Sequence, residues 1–431
     1  MKTKIIKDLA EMVSEGVISS STADDIKNWY VAKKIERPNR LLLISGVLGA
    51  LLTGLGIILI LAHNWDSFSR FFKTILAFIP LAISQGLAVY ALKKENETWK
   101  EAAGVLLFFS IGTAISLVSQ IYHISGSLDS LLFTWILLGA PLIYLLKSKS
   151  LILLHLIFST WWLFLTGYGY RSDIPWFYLV FFSWIIPFYV KFLKGEPEGN
   201  FTGIVSWLLP FCFTISLGAF VDRNDHMGFL LYMLAFGIMY LIGISPQFRE
   251  KSPGRNGFIV FGMLGMITLL LITSFQDLWK DLNNLDFIFG PEFYLALVLL
   301  MILVALVIQK IIKYKTSDKF LLIPFLFTFI FFIGIFNGLL ATILINITIL
   351  IVAILLIRKG ALTMNLGMLN FGLLVVSALI VCRFFDTDLS FVLRGILFLI
   401  IGAGFFIANY IMIKRKPQSE LDDKSSKINK L

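Results

Sequence analysis

Residues 339–359 read LLATILINITILIVAILLIRK, which is nineteen residues without a charged side chain followed at once by Arg358 and Lys359. Nineteen residues of α-helix rise about 28 Å, close to the roughly 30 Å hydrocarbon core of a bilayer. Basic residues beside such a helix favour the cytoplasmic side of a membrane. The stretch therefore predicts a membrane-spanning helix whose C-terminal end faces the cytoplasm.

Segments of this kind recur along the whole chain. Of its 431 residues, 58% are hydrophobic and only 15% are charged, which excludes an ordinary soluble domain. We predict an all-α, polytopic transmembrane helix bundle of fourteen spans. The predicted spans are residues 41–61, 72–92, 102–121, 128–146, 150–168, 175–190, 201–220, 227–245, 257–275, 293–308, 320–336, 339–357, 364–381 and 395–413.

The basic residues indicate how the bundle is oriented. Thirty of the 37 Lys and Arg residues lie in the terminal segments or in every second connection, so we predict that both termini are cytoplasmic. The other connections carry more acidic than basic residues. The formal net charge of +10 is therefore a signal of topology and of attraction to anionic lipids, and we expect no nucleic-acid partner.

The weakest division between spans lies at Asn337 and Gly338, where two segments meet with almost no connection. If they formed one bent element, the protein would have thirteen spans and an outer C-terminus. Arg358, Lys359 and residues 414–416 would then lie on the wrong side of the membrane. The charge pattern therefore favours two spans.

The segments outside the bundle are short. Residues 1–38 predict a cytoplasmic helical hairpin, in which Gly16 ends the first helix and a capping box of Ser21 and Asp24 opens the second. The hairpin either packs on the inner membrane face or binds a cytoplasmic partner. Residues 39–413 form the bundle, and the polar tail 414–431 is predicted to be disordered.

Polar and small residues inside the spans predict contacts between helices. Small residues at intervals of four on the first span predict close packing in the bundle or a homodimer, as at Ser45, Gly49 and Thr53. Interhelical contacts are the expected role of His155, Gln85, Asn337, Asn346, Asn365 and Asn370. Kinks are expected at Pro80, Pro141, Pro187, Pro210 and Pro324. We find no carboxylate, lysine or arginine deep within a predicted span.

Two strings at the predicted outer face combine residue types that carry chemistry. They are Ala62-His63-Asn64-Trp65-Asp66, after the first span, and Gln120-Ile121-Tyr122-His123, at the end of the third. In each string two polar residues are three apart and can share a helix face. We predict an outer-face pocket of His63, Asn64, Asp66, Gln120 and His123, with Trp65 and Tyr122 at its rim.

Other interpretations of these strings stay open. Trp, Tyr, His and Asn at a membrane boundary serve as interfacial anchors and helix caps, in which case the side chains would lie apart. A His–Asp pair can move protons, and two His with a carboxylate can also bind zinc. We predict neither a bound metal nor a cofactor.

The first 150 residues resemble a known family. The run Gly46 to Asp66, the segment Ser119-Gln120-Ile121-Tyr122-His123-Ile124-Ser125-Gly126, and Trp135 with Pro141 are similar to domain-of-unknown-function family 2157. That family consists of predicted prokaryotic multispan membrane proteins. The resemblance implies a membrane protein and supplies no reaction.

Three functions remain for an integral protein of the bacterial inner membrane. The first is a transporter or lipid-handling protein, which fits many spans and short connections. The second is a non-catalytic scaffold or stress-response factor, and the third is an intramembrane enzyme that acts on a lipid-linked substrate at the outer face. Membrane lipids are the expected partners in every case, and the sequence leaves open both enzyme activity and the oligomeric state.

Overall fold

The structure, a computed structural model, describes residues 9, 12–32, 65–168, 174–221, 227–246, 248, 253–280, 291–314, 318–386, 392, 395–396, 399, 402–407 and 409–410. The chain divides into two units, Met1–Leu76 and Ala77–Leu431. In the described residues all regular structure is helical. This agrees with the predicted class, because a membrane-spanning helix satisfies its own backbone hydrogen bonds.

Fifteen α-helices lie in the described residues. They are α1 Ser20–Ala32, α2 Arg70–Lys94, α3 Glu97–Ile121, α4 Leu128–Leu146, α5 Lys149–Gly167, α6 Phe177–Ser183, α7 Ile186–Gly195, α8 Asn200–Leu217, α9 Met227–Gly243, α10 Gly257–Ile272, α11 Asp277–Lys280, α12 Pro291–Tyr314, α13 Ile323–Phe336, α14 Gly338–Leu362 and α15 Leu366–Asp386. Short 3₁₀ turns lie at Trp65–Ser67, Gly218–Phe220, Pro253–Arg255 and Lys319–Leu322.

The predicted spans from the second to the thirteenth each coincide with a helix or a pair of helices. Ten of these described segments are long and apolar enough to cross a membrane, and Met227–Gly243 and Gly257–Ile272 are shorter apolar helices. The first predicted span, 41–61, lies outside the described residues, and the last, 395–413, is described only in part. The chain is thus a multi-pass membrane protein, and the count of fourteen and the orientation stay predictions.

Helices begin where a polar side chain can accept a backbone N–H that has no partner within the helix. Asn96, Ser148 and Asn256 cap α3, α5 and α10 in this way. Asn337 caps α14 by accepting from the Leu340 N–H at 3.0 Å, and Asn365 accepts from the Met368 N–H. The expectation of interhelical contacts was therefore wrong for Asn337 and Asn365, because both lie at a helix start.

The division at Asn337 is a true helix break. Asn337 ends α13 with extended backbone, φ −149° and ψ 92°, and its side chain opens α14. The two helices then pack against each other. A tight hairpin needs a residue that ends one helix and caps the next, and asparagine does both. The break favours two spans over one bent element.

The helices of the second unit pack in a continuous series. α3, α4 and α5 contact one another, and α8 connects α5 to α10. α9 contacts α10, α12 and α13, and α14 lies against α13 and α15. α9 is buried along nearly its whole length, so protein rather than lipid surrounds this shorter helix. At its contact with α10, a Cβ atom on Gly262 would lie 2.5 Å from the backbone nitrogen of Tyr240, so only glycine permits this approach.

A partly buried carboxylate ties α3 to the start of α5. Glu101 of α3 accepts hydrogen bonds from the Ser148 hydroxyl at 2.6 Å, from the Lys149 N–H at 2.6 Å and from the Ser150 N–H at 2.9 Å. These N–H groups belong to the first turn of α5, where the helix leaves them without partners and where a negative charge is favoured. The contact fixes the N-terminal end of α3 against the N-terminal end of α5.

The prolines act differently according to their position. Pro80, Pro141 and Pro210 lie within α2, α4 and α8. Pro324 lies in the first turn of α13, where a missing N–H costs nothing, so the expected kink at Pro324 was wrong.

Pro187 marks a real interruption, because α6 ends at Ser183 and α7 starts at Ile186. Neighbouring side chains bond to carbonyls near this break. His155 Nε2 lies 3.1 Å from the Phe181 carbonyl oxygen and must carry the hydrogen, since a carbonyl only accepts. The Tyr144 hydroxyl donates to the Trp184 carbonyl at 3.0 Å. His155, which is 1% exposed, is therefore the packing histidine that the sequence predicts.

The N-terminal segment is described only in part. Gly16 has a left-handed φ of +70°, which suits its predicted place at the end of a first helix. The helix that follows starts at Ser20, and the Ser19 hydroxyl accepts the Thr22 N–H at 3.2 Å. The cap is thus Ser19 rather than the predicted Ser21, because the helix begins earlier than the apolar pattern suggests. The tail 414–431 lies outside the described residues.

Candidate functional site

The residues of the predicted outer-face pocket fall in separate parts of the chain. His63 and Asn64 lie outside the described residues. Trp65 and Asp66 form part of a 3₁₀ turn in the first unit, where the Lys73 ammonium lies 5.6 Å from the centre of the Trp65 ring. Asp66 is exposed. The convergence of these residues with the second string stays a prediction.

Gln120, Tyr122 and His123 lie at the end of α3, and all three side chains are exposed. The helix ends at Ile121, and His123 has a left-handed φ of +52°. The prediction that Gln120 and His123 share a helix face was therefore wrong, because His123 lies beyond the helix. The Ile124 N–H bonds to the Ser119 carbonyl at 2.9 Å and the His123 N–H to the Gln120 carbonyl at 3.4 Å, which is a Schellman end.

A groove beside this helix end is the candidate functional site. It has a volume of about 710 Å³ and lies between α2, α3 and α4, at the connection that follows α3. Volumes of about 300–1,000 Å³ are typical of small-molecule sites. The groove is lined by Phe78, Leu81, Gln85, Leu107, Ile111, Ala114, Ile115, Val118, Ser119, Ile124, Ser125, Gly126, Ser127, Ser130, Leu131, Thr134, Leu138 and Leu142. Gln120, Tyr122 and His123 are not part of this lining.

The groove has one polar end. Five hydroxyl side chains gather beside the connection between α3 and α4, and they are Ser119, Ser125, Ser127, Ser130 and Thr134. Leu107 lies twelve positions before Ser119 on α3, and Leu142 lies twelve positions after Ser130 on α4. Both distances correspond to about 18 Å along the helix. The deeper part of these two walls consists of alanine, isoleucine, leucine and valine.

Hydrogen bonds hold the polar end in place. The Ser119 hydroxyl donates to the Ile124 carbonyl at 2.9 Å, which fastens the connection to α3. Across the groove the Ser127 N–H donates to the Ser130 hydroxyl at 3.1 Å in the capping box that opens α4. The connection is thus fixed at both ends by side chains that also line the groove.

Gln85 lies at the deeper end. It is nine residues from the end of α2 at Lys94, and Leu107 is ten residues from the start of α3 at Glu97. Both therefore lie about 14–15 Å from the connection between these helices. Within the described part of the chain the Gln85 amide makes no hydrogen bond, so the predicted interhelical contact is not found there. An unpaired amide in hydrocarbon is costly, and a ligand or a water molecule in the groove would satisfy it.

Aromatic packing sets the distance between α3 and α4. The Trp135 indole Nε1–H donates to the Phe108 carbonyl at 2.7 Å, and its ring lies 4.7 Å from the Phe158 ring. Gly112 of α3 faces the indole, and a Cβ atom there would lie 2.3 Å from it. Trp135 therefore determines how far apart the two walls of the groove lie. It is one of the residues on which the resemblance to the family rests.

Two further polar clusters lie near helix ends, where the sequence predicts apolar spans with no deep charge. Lys310 is only 8% exposed in the last turns of α12, and its ammonium donates to the Leu241 carbonyl at 2.6 Å. Arg383 near the end of α15 donates to the Ser274 carbonyl at 3.0 Å, and Asn346 donates to the same oxygen at 3.2 Å. Both charges lie inside helices because α12 and α15 extend beyond the predicted ends of their spans.

These charges are explained by the carbonyls at helix ends. Leu241 lies in the last turn of α9 and Ser274 just after α10, where carbonyls lack partners within the helix. A cation there bonds the free carbonyl and is favoured by the helix dipole. Asn346 is thus the interhelical contact that the sequence predicts, and Asn370, which accepts from Asn409 at 2.7 Å, is another.

Metal-binding groups are not gathered at the groove or elsewhere in the described ranges, where no three His, Cys, Asp or Glu side chains are placed to hold an ion. The groove itself was missed by the sequence reasoning. One signal for it exists, since Ser127, Ser130 and Thr134 follow one another at intervals of three and four and so share a face of α4.

Residues 10–152 match the family described as "Predicted membrane protein (DUF2157)". No curated protein and no solved structure matches the chain. The matched residues include α2, α3 and α4 in full, and with them every residue that lines the groove. The resemblance drawn from the Ser119–Gly126 segment and Trp135 is thereby confirmed, and this region of the membrane protein is similar to domain-of-unknown-function family 2157.

Proposed function

We propose that the protein is a lipid-handling protein and that a membrane lipid binds in the groove between α2, α3 and α4. The observation that carries the proposal is the division of the α3 and α4 walls into a hydroxyl-rich end and an aliphatic end about 18 Å deeper. A lipid has the same division between its headgroup and its chain.

The polar end of the groove lies where the headgroup region of a bilayer is expected, and the aliphatic part lies where the chains are expected. The hydroxyls lie at the helix ends, beside the connection that the charge pattern places on the outer side. The aliphatic walls continue from there toward the middle of the membrane. A lipid of the outer leaflet can therefore enter with its headgroup at the surface and its chain along Leu107, Ile111 and Leu138.

Access to the groove is lateral. Phe78 and Leu138 line it and are 47% and 52% exposed, so the groove is open along its side. On a membrane-spanning segment this exposure faces lipid. A solute in water would meet hydrocarbon at this opening, whereas a lipid would not. This favours lipid handling over transport of a water-soluble substrate, in a protein of the bacterial inner membrane.

Two neighbouring leucines of α4 provide the test. Leu137 and Leu138 are 53% and 52% exposed, but only Leu138 lines the groove. Leu138→Trp should fill the groove and lower the amount of lipid that co-purifies with the protein several-fold. Leu137→Trp should leave that amount unchanged, because its larger side chain adds surface outside the groove.

The measurement is native mass spectrometry of the full chain in detergent, with the released lipids identified separately. Equal lipid retention in both tryptophan variants and the unaltered protein would mean that the lipid is only annular, and the proposed function would then be rejected. Gel filtration shows whether each variant is monodisperse. Ala114→Phe, on the opposite wall, provides a second variant that should also lower retention.

A further inference from the structure

Three of the five hydroxyl groups at the polar end of the groove donate their hydrogens to backbone carbonyls. Ser119 donates to the Ile124 carbonyl at 2.9 Å, Ser130 to the Ser127 carbonyl at 2.8 Å and Thr134 to the Ser130 carbonyl at 2.9 Å. Carbonyl oxygens only accept, so the direction of these three bonds is certain. Each hydroxyl has one hydrogen and two lone pairs. These three hydroxyl groups can therefore only accept a further hydrogen bond from a ligand.

The Ser127 hydroxyl has also donated its hydrogen. Ser127 Oγ lies 3.2 Å from Ser130 Oγ, and because the Ser130 hydrogen points to a carbonyl, Ser127 is the donor of this pair. Ser125 makes no hydrogen bond with the described residues and keeps its hydrogen. The polar end therefore offers several lone pairs and one hydroxyl donor.

The groove also lacks charge. Of the eighteen described residues that line it, none is Asp, Glu, Lys, Arg or His. An ionised group enters a low-dielectric site at a high cost unless a partner of opposite charge or several donors replace its water. A phosphate needs donors or a cation, and an ammonium needs a carboxylate. In this lining an ammonium finds no carboxylate, and a phosphate finds no cation and, at the polar end, only the Ser125 hydroxyl as a donor.

We propose that the groove selects uncharged lipids with a free hydroxyl in the headgroup, of the diacylglycerol type, over phospholipids. The hydroxyl hydrogen would be donated to a lone pair of Thr134, and the Ser125 hydroxyl would donate to the lipid. This inference rests on the proposed function, since it names the chemical class of the lipid in the same groove.

Three lipids with the same chains separate the possible interactions. Dioleoylglycerol carries the free hydroxyl, its acetate ester lacks the donor, and dioleoylphosphatidate replaces the hydroxyl by a phosphate. Binding of each to the delipidated full chain is measured in detergent by native mass spectrometry. We expect dioleoylglycerol to bind about tenfold more tightly than either of the others, as one hydrogen bond would give.

Substitutions then assign the preference to the groove. Thr134→Val keeps the shape of the side chain, removes the lone pairs and should reduce the preference for dioleoylglycerol to about twofold or less, because one acceptor is lost. Thr134→Ser should restore it. Thr113→Val is the matched control, since Thr113 is an exposed threonine of α3 that donates to the Phe109 carbonyl at 2.9 Å and does not line the groove.

The outcomes distinguish this inference from the proposed function. Equal binding of the three lipids, or tighter binding of the phosphatidate, would overturn the hydroxyl preference, while the Leu138→Trp result would still stand. If Thr113→Val lowered the preference as much as Thr134→Val, the preference would not arise in the groove, and the inference would fail. If Leu138→Trp had no effect on any lipid, the proposed function would fail first.

Discussion

Replacing Gly112 with alanine should weaken the contact between α3 and α4. The new Cβ atom would lie 2.3 Å from the Trp135 ring, closer than any real carbon contact. The indole is not free to move away, because its Nε1–H donates to the Phe108 carbonyl at 2.7 Å and its ring lies 4.7 Å from the Phe158 ring. Either the helices separate or the indole leaves its hydrogen bond.

The size of the effect follows from three contributions. Overpacking costs about 1–3 kcal/mol. A lost hydrogen bond adds about 0.5–1.5 kcal/mol if the indole turns. Replacing glycine by alanine within a helix returns about 0.5–1 kcal/mol. With the indole turned, the expected net loss of stability is therefore about 0.5–4 kcal/mol.

The assay is the apparent melting temperature of the full chain in detergent, followed by the loss of monodisperse protein on gel filtration. Gly86→Ala in α2 and Gly203→Ala in α8 are matched controls, because a Cβ atom at either residue has nothing within 4 Å. Both should melt at or slightly above the temperature of the unaltered protein. Adding Trp135→Leu to Gly112→Ala should recover part of the loss, since the smaller side chain leaves room for the methyl group.

A Gly112→Ala variant that melts with the controls would refute the reasoning. The α3–α4 distance would then not depend on the indole. The same result would remove the basis for assigning the width of the groove to Trp135.

Three other predictions follow from the fold. Lys310→Met should destabilise the protein by about 1–3 kcal/mol in the same melting assay, because the Leu241 carbonyl loses a charged donor, whereas Lys319→Met on an exposed side chain should not. A reporter fused after Arg255 should report a cytoplasmic location, and one fused after Asp225 should report a location outside the membrane. The opposite result at either fusion point would contradict the predicted orientation. Deletion of residues 2–34 should leave membrane insertion intact, as fractionation would show, because the basic residues that flank the first span set its direction.

The sequence predicts the fold well because membrane insertion depends on local features. An apolar stretch of sufficient length forms a helix wherever it lies in the chain, since hydrocarbon leaves the backbone no other partner. Capping is equally local. It explains why the break at Asn337 was predicted, although its side chain was assigned to an interhelical contact. The amide alone does not distinguish a helix start from a helix neighbour.

The groove could not be predicted, because it depends on contacts between residues far apart in the chain. Its width depends on Gly112 and Trp135, and nothing in the spacing of these two residues places one against the other. The predicted pocket relied on helical spacing between Gln120 and His123, and the helix ends between them. The predicted pocket was built on histidine, aspartate and amide side chains, whereas serines and a threonine form the polar end of the groove.

The family match ends beside a contact that joins α3 to α5. The match stops at residue 152, in the first turn of α5. That turn is where Glu101 of α3 accepts hydrogen bonds from Ser148, Lys149 and Ser150. The contact closes α3, α4 and the start of α5 into one arrangement, and α3 and α4 are the walls of the groove.

A shorter segment would leave the Glu101 carboxylate without its partners and the first turn of α5 without its cap. The matched region thus contains the contacts that hold α3 and α4 at both ends, with Glu101 at one end and the Ser119 and Ser127 hydrogen bonds at the other. The groove in which we propose that a lipid binds therefore lies wholly within the residues that match the family.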